Sequence, residues 1–131
     1  MGRQDPPGLT FDTGALLGFE SGDRRINALV QRAKDLGRTI TIPAGVLAQA
    51  WRGGGPRQAR LAILLGSKAV IVEDLTRVRA RAAGDLCGRS GTSDIVDASV
   101  VVAAWANGRI VVTRDPTDIR RLDPSLTVVA I

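Results

Sequence analysis

Short, continuous apolar runs alternate along the chain with longer segments in which apolar residues recur at helical spacing. The segment 24–36 is of the second kind, because Ile26, Leu29, Val30 and Ala33 share one helix face while its basic residues face away. The short runs are typical of parallel strands that are covered on both faces. The predicted strands are 9–12, 39–42, 69–72, 110–113 and 127–131. The predicted helices are 13–20 (a helix or turn), 24–36, 44–52, 57–65, 93–107 and 116–122. One more helix is predicted before 93–107, which Asp74 or Thr76 caps and which runs to about Cys87.

This alternation predicts a single α/β domain with a mostly parallel, five-stranded sheet and helices on both faces, joined by right-handed crossovers. We expect the strands in the spatial order 3-2-1-4-5, with the first strand in the middle. A chain of 131 residues is long enough for one domain with a substantial core. We assign the domain to 9–131 and predict that 1–8 is a flexible N-terminal tail.

The segment 93–107 is apolar enough for a buried helix, although its β-branched residues would also suit a strand. Its length and the capping residues at its ends favour a helix, with Thr92 or Ser93 as the N-cap. Such a helix places Asp94 and Asp97 in or near its first turn, where the helix dipole favours negative charge.

Two further acids follow predicted strands. Asp115 comes after the strand 110–113 and directly before Pro116, so it can act as the N-cap of a short helix. Asp12 ends the first strand in the same way. If that strand is central, Asp12 would approach Asp115 at the carboxyl edge of the sheet, which is where open α/β sheets bind ligands.

Carboxylates that converge on one cleft repel one another unless positive charge lies between them. Mg²⁺ or Mn²⁺ is the expected cation, because both take oxygen ligands and bind through a few carboxylates together with water and substrate phosphates. Such an ion can polarise a phosphodiester and activate water. Each of Asp12, Asp94 and Asp115 can instead be explained as a cap. Asp97 is harder to explain in that way, since it lies on an otherwise apolar helix and buried acids need partners.

The composition excludes several kinds of chemistry. The chain has no histidine, which excludes histidine metal sites and Ser-His-Asp triads, and Cys87 has no partner for a disulfide. We therefore expect a cytoplasmic protein, and no membrane partner, because no apolar run approaches the length that crosses a bilayer. The net charge of +5 indicates a polyanionic partner such as nucleic acid, or else only a solvated, arginine-rich surface. The candidates for contact with a nucleic-acid backbone are Arg24, Arg25, Arg52, Arg57, Arg60 and Arg114.

Four motifs follow one another over nearly the whole chain, and together they resemble the motifs of PIN-domain proteins, specifically the small VapC-type toxins of bacterial toxin-antitoxin pairs. The most specific parts are the Asp-Ala pair at the start of the late helix and the Thr-Arg-Asp sequence at the end of the fourth strand. The motifs are FDTGALL at 11–17, IPAGVLAQAWR at 42–52, DIVDASVVVAA at 94–104 and IVVTRDPTDIRRL at 110–122.

The resemblance implies a Mg²⁺-dependent endoribonuclease, with Mn²⁺ as a substitute, that a cognate VapB-like antitoxin holds inactive. It also implies an RNA substrate and a homodimer. By position, Asp12, Asp97 and Asp115 match the acidic residues that bind the metal and carry catalysis. Asp94 and Asp118 are additional acids that would bind the metal through water or orient its ligands.

One position departs from the pattern of the family. A glutamate usually lies on the helix after the second strand, where this chain has Gln49, whose neutral oxygen is a poorer ligand for a hard cation. Glu20 or Asp23 could supply the missing carboxylate to the metal. Otherwise the chain would be a weak nuclease, or a PIN-like protein that chiefly binds RNA or a partner.

Three more residues are candidates for substrate binding. Thr13 and Thr113 could position water or phosphate, or could equally serve local backbone bonds, and Arg114 could contact a phosphate. A receiver-like signalling domain is a third interpretation, because that fold also collects acids at strand ends. It requires a lysine after the last strand, which this chain lacks.

Overall fold

Five strands form one sheet in which every neighbouring pair is parallel. The computed structural model describes residues 6–131. The first five residues of the expected tail lie outside the described residues, so the assignment of that tail stays a prediction. The strands are β1 Leu9–Phe11, β2 Ile40–Pro43, β3 Val70–Glu73, β4 Ile110–Thr113 and β5 Thr127–Ala130. Their order, β3-β2-β1-β4-β5, confirms the predicted α/β fold with the first strand in the centre.

Helices connect the strands and cover the sheet, as the apolar pattern predicts. None of the helices found in 6–131 is long and apolar enough to cross a membrane. The helices are α1 Thr13–Glu20, α2 Arg24–Asp35, α3 Ala44–Ala50, α4 Ala59–Leu65, α5 Arg77–Ser90, α6 Ile95–Ala106 and α7 Pro116–Leu122, with a short 3₁₀ turn at Pro56–Gln58 before α4.

The segment Ile95–Ala106 forms a helix, α6, although its valines would also suit a strand. Its residues 98–104 are all buried, and the helix packs against α5, β1 and β2. Full burial of a valine contributes roughly 1.5–3 kcal/mol. That gain exceeds the helix-propensity cost of a β-branched residue, which is at most about 0.7 kcal/mol. Tertiary packing therefore makes this segment a helix.

The start of α6 differs from the prediction. Asp94 is itself the N-cap, because its Oδ1 accepts a hydrogen bond of 2.9 Å from the N–H of Asp97. Neither Thr92 nor Ser93 caps the helix, so that expectation is wrong. The hydroxyl of Thr92 instead accepts from the N–H of Asp94 at 3.2 Å and fixes the turn before the helix.

The end of α5 also differs, since the helix continues to Ser90 instead of ending near Cys87. Gly91 ends it in the left-handed conformation, with φ of 69°, which glycine adopts without steric cost. The loop between α5 and α6 therefore comprises 91–94 and lies later in the chain than the sequence predicts.

Candidate active site

Asp12 is a buried acid at the carboxyl end of the central strand. It is the N-cap of α1, where its Oδ1 accepts a hydrogen bond of 2.8 Å from the N–H of Ala15, and its other oxygen accepts one from the hydroxyl of Thr113. Burial raises the pKa of Asp12, as does the charge of Asp115, while these two hydrogen bonds and the charge of Arg114 act in the opposite direction. The net pKa is raised, so a positive ion beside Asp12 would be stabilising.

Thr113 connects the ends of the two neighbouring strands. It is the last residue of β4 and is fully buried. Its hydroxyl donates to Asp12 across the strand pair, and the same oxygen accepts a hydrogen bond of 2.8 Å from the N–H of Asp115. A single hydroxyl thus orients the first acid and fixes the turn that carries the second.

Asp97 extends from the first turn of α6 toward the same edge. Burial raises its pKa to about 7, with further contributions from the charges of Asp94, Asp12 and Asp118. The fold therefore brings the acids that follow β1 and that lie on α7 close enough to Asp97 to disfavour its ionised form. A bound cation would relieve this repulsion at Asp97.

Asp115 does not behave as a helix cap, although it stands at the N-cap position of α7. Its side chain makes no capping hydrogen bond and is exposed to solvent. Asp12 and Asp94 do cap their helices. Helix capping therefore explains the positions of Asp12 and Asp94 but not the carboxylate of Asp115.

The donor set suits a hard divalent cation, but the acids do not form a closed cage. Among residues 6–131, no three aspartate, glutamate or cysteine side chains lie close enough together to hold an ion directly. A Mg²⁺ ion at this edge would therefore have to bind through one or two of the carboxylates and keep several waters. A cavity of about 200 Å³ borders Asp94, Asp97 and Asp118, while Asp12 and Asp115 do not line it. It is lined by Thr92, Asp94, Asp97, Asp118, Arg121 and Leu122.

Gln49 lies at the margin of the acid site. Its Oε1 accepts a hydrogen bond of 2.5 Å from the hydroxyl of Thr13, which directly follows Asp12. The hydroxyl proton of Thr13 is therefore directed at Gln49 and not at a phosphate, while its oxygen can still accept a hydrogen bond. The neutral side chain of Gln49 occupies the place where a glutamate would add negative charge near Asp12.

Neither of the acids that could replace that glutamate is free. Glu20 accepts a hydrogen bond of 2.9 Å from Nε2 of Gln58. Asp23 caps α2 and forms ion pairs of 3.7 Å with Arg25 and 4.0 Å with Arg114. Both acids thus have partners of their own; Glu20 is the last residue of α1, and Asp23 follows that helix.

The arginines differ in their freedom to bind a substrate. Arg60 donates to the carbonyl of Phe19 and to Asn27, and its guanidinium lies over the ring of Phe19. Arg52 donates to two backbone carbonyls at the end of α3. Arg121, which the sequence did not single out, lines the acidic cavity. Arg121 follows Asp118 by three residues, so the two share one face of α7, and this spacing in the sequence indicates that Arg121 lies beside that acid.

Comparison with known proteins shows similarity in structure only. No family model matches the chain, and no curated protein matches it in sequence. VapBC2 of Rickettsia felis, bound to a DNA fragment from its promoter, has a TM-score of 0.72 at 17% identity, covering 94% of this chain and 98% of the other. FitAcB of Neisseria gonorrhoeae has a TM-score of 0.61 at 15% identity, covering 92% and 95%.

A third similar structure is VapC20 of Mycobacterium tuberculosis, described as a sarcin-ricin loop cleaving toxin. Its TM-score is 0.60 at 19% identity, and the match covers 79% of this chain and 87% of the other. At such identities the likeness shows the fold alone. It confirms, at the level of fold, the resemblance to VapC-type toxins that the four sequence motifs indicate.

Proposed function

We propose that this chain, which has the fold of the VapC-type PIN-domain toxins, is a metal-dependent endoribonuclease toxin of a toxin-antitoxin pair. The observation that carries the proposal is the convergence of Asp94, Asp12 and Asp118 on the half-buried Asp97, where burial first and these neighbouring charges second raise the pKa of Asp97 to about 7. Mutually repelling carboxylates are destabilising by themselves, and such perturbed groups are concentrated at functional sites.

Asp12, Asp97 and Asp115 are the residues that would share Mg²⁺, or Mn²⁺ in its place, with one or two of them bound directly and the rest through water, and with Asp94 and Asp118 acting through water. When bound, the ion would supply a Lewis acid that polarises a phosphodiester and makes water a better nucleophile. Thr113 keeps a carboxylate oxygen of Asp12 oriented through its hydrogen bond. Burial of Asp12 excludes competing water from that carboxylate, so the acid is preorganised.

RNA is the proposed substrate because positive charge accompanies the acids. The chain carries a net charge of +5, and Arg114 and Arg121 lie beside the acid site. The similar toxin VapC20 is described as cleaving the sarcin-ricin loop. A phosphate backbone would thus be attracted by the protein as a whole and held at the site by arginine.

A VapB-like antitoxin is the proposed partner, since the similar structures include the VapBC2 and FitAB complexes. We further propose that the protein acts in the cytoplasm as a homodimer. The second candidate function is a PIN-like protein with weak catalysis that chiefly binds RNA or a partner. Gln49 is the observation that favours it, because its neutral side chain contacts Thr13 beside the buried Asp12.

The proposed function is tested by incubating total RNA with the protein in Mg²⁺, in Mn²⁺ and in EDTA. Wild-type protein should cut RNA with either metal and not in EDTA, while Asp97→Asn and Asp115→Asn should each lose at least about 100-fold in rate, the scale on which preorganised charge acts in catalysis. Asp85→Asn is the matched control, because Asp85 is exposed on α5. Cleavage that survives EDTA, or that survives both active-site substitutions, would contradict the proposed mechanism.

A further inference from the structure

The side chain of Arg114 lies in a groove on α1 that two glycines form. Gly14 and Gly18 are four residues apart and therefore share one face of the helix. A Cβ atom on Gly14 would lie 3.2 Å from Cβ and 3.3 Å from Cγ of Arg114, and one on Gly18 would lie 3.0 Å from its Nη2. A larger residue at position 14 would have to displace the arginine. One at position 18 would meet both the arginine and Cγ1 of Ile26, at 3.2 Å, so Gly18 makes room for Arg114 and for the packing of α2.

The guanidinium at the end of this groove is held loosely. Its Nη2 is 4.0 Å from Oδ2 of Asp23, and the other oxygen of that carboxylate already accepts from the N–H groups of Arg25 and Ile26. The side chain of Arg114 remains 43% exposed, and its guanidinium lies beside Gly18 near the C-terminal end of α1, whereas Asp12 caps the N-terminal end. Its N–H donors can therefore form the two parallel hydrogen bonds that guanidinium groups make with phosphate, at a phosphate next to the one at the acids.

The position of Arg114 links this group to the acid site. It stands between Thr113, which orients Asp12, and Asp115, and its positive charge acts on the carboxylate of Asp12. Arg52 and Arg60 differ from it, because their guanidinium groups are hydrogen-bonded to the protein. Arg114 is thus a cation beside the acids that is fixed along its stem and open at its tip.

We propose that Arg114 binds the RNA phosphate next to the acid site, and that Gly14, Gly18 and Asp23 are positioning residues that hold it there. This inference rests on the proposed nuclease function and specifies how that site holds its substrate. It explains two glycines within an eight-residue helix, where glycine is a poor helix former. It also gives Asp23 the role of an anchor for Arg114, in place of the metal ligand that the sequence suggested.

The test combines Arg114→Gln, Arg114→Lys and Gly14→Ala with a control, Gly84→Ala. Gly84 is also in a helix, but a Cβ there would meet nothing within 4 Å. The probe is a short, fluorescently labelled single-stranded RNA, and its affinity for the metal-free protein is measured in EDTA over a range of salt concentrations. The kcat and KM for its cleavage are then measured in Mg²⁺, and the unfolding temperature is recorded for each variant.

Arg114→Gln should weaken RNA binding about 10-fold or more, the effect of losing a charged hydrogen bond. It should also lower the slope of log affinity against log salt by about 0.7, which is one phosphate contact on a single strand. Arg114→Lys should retain the slope, because the positive charge is kept. Its affinity should lie between those of Arg114→Gln and the wild type, since a lysine cannot form the two parallel hydrogen bonds. Gly14→Ala should raise KM several-fold with no fall in unfolding temperature, whereas Gly84→Ala should leave KM unchanged.

Two results would overturn the inference while leaving the nuclease function intact. In the first, the wild-type protein cleaves RNA but Arg114→Gln binds it with unchanged affinity and salt slope, so Arg114 is no phosphate contact. In the second, Gly14→Ala cannot be distinguished from Gly84→Ala, so the glycines do not position the arginine. If the wild-type protein neither cleaves nor binds RNA, the proposed function fails and this inference fails with it.

Discussion

At Asp97, burial and neighbouring charge act in the same direction, and both disfavour the ionised carboxylate. Its pKa rises from an ordinary value of 3.8 to about 7. In the unfolded chain this group ionises near its ordinary pKa, so between these two values the folded protein binds more protons than the unfolded one. Stability of the metal-free protein should therefore fall as the pH rises from about 4 to about 7, and the full cost is present above that range.

Asp97→Asn should consequently stabilise the metal-free protein at about pH 8 and have little effect near pH 4. The pKa shift corresponds to roughly 4 kcal/mol for a fully buried group, and the partial exposure of Asp97 reduces the expected gain to about 1–2 kcal/mol. Loss of the favourable helix-dipole interaction opposes this gain by only about 0.3–1 kcal/mol. Thermal unfolding in EDTA at both pH values measures the difference. An unfolding temperature at pH 8 equal to or below that of the wild type would refute this account of Asp97.

At the scale of elements, the contact between α1 and α3 contains Gln49, the position at which the chain differs from the motifs of VapC-type toxins that it resembles. Thr13 begins α1 beside Asp12, and its hydroxyl donates to Gln49 near the end of α3. A carboxylate at position 49 would accept the same hydrogen bond and add a negative charge near the proposed cation. The geometry therefore allows the missing glutamate to be restored without rebuilding the site.

Gln49→Glu should tighten Mg²⁺ binding several-fold, since an added charge at a partly exposed site contributes on the order of 1 kcal/mol. RNA cleavage should rise with it. Calorimetric titration of Mg²⁺ measures the affinity, and Gln31→Glu on the exposed face of α2 controls for the change in net charge. Unchanged affinity in Gln49→Glu would show that this position does not face the cation.

Element type could be predicted from the sequence more fully than element ends. The apolar runs of β2 and β4 are short, rich in β-branched residues and soon followed by a proline, which favours strands, and α2 has the period of an amphipathic helix. The end of α5 and the start of α6 are ambiguous in the sequence, because Gly88 and Gly91 are both plausible stops, and Thr92 and Ser93 are both good caps. Because α5 packs along α6, it continues to Ser90 and ends at Gly91. The loop that follows places Asp94 at the N-cap of α6.

At the scale of the whole molecule, the acid site could be anticipated because parallel strands bring their carboxyl ends to one edge. Asp12 and Asp115 follow neighbouring strands, and the sheet order needed for that was predicted correctly. The groove for Arg114 and the engagement of Glu20 by Gln58 could not be anticipated, since both depend on side-chain contacts between residues far apart in sequence. The role of the acids as metal ligands stays a prediction.

The balance of charge across the molecule gives that prediction its physical basis. The chain carries 18 basic and 13 acidic residues, yet the charges of Asp12, Asp94 and Asp118 converge on Asp97 at a single edge of the sheet. Gathering acids within a basic protein favours a cation at the acids and a polyanion around them. A metal and a phosphate backbone together satisfy both requirements.

Calorimetric titration of Mg²⁺ at about pH 8, where Asp97 is ionised, tests the central claim most directly, because it measures the shared cation without a substrate. The wild-type protein and Asp85→Asn should bind Mg²⁺ equally. In Asp97→Asn, the affinity should fall at least about 10-fold, as expected for the loss of a charged ligand from a site with few direct carboxylates. Equal affinity in Asp97→Asn and the wild type, or no binding to either, would contradict a cation site at these acids.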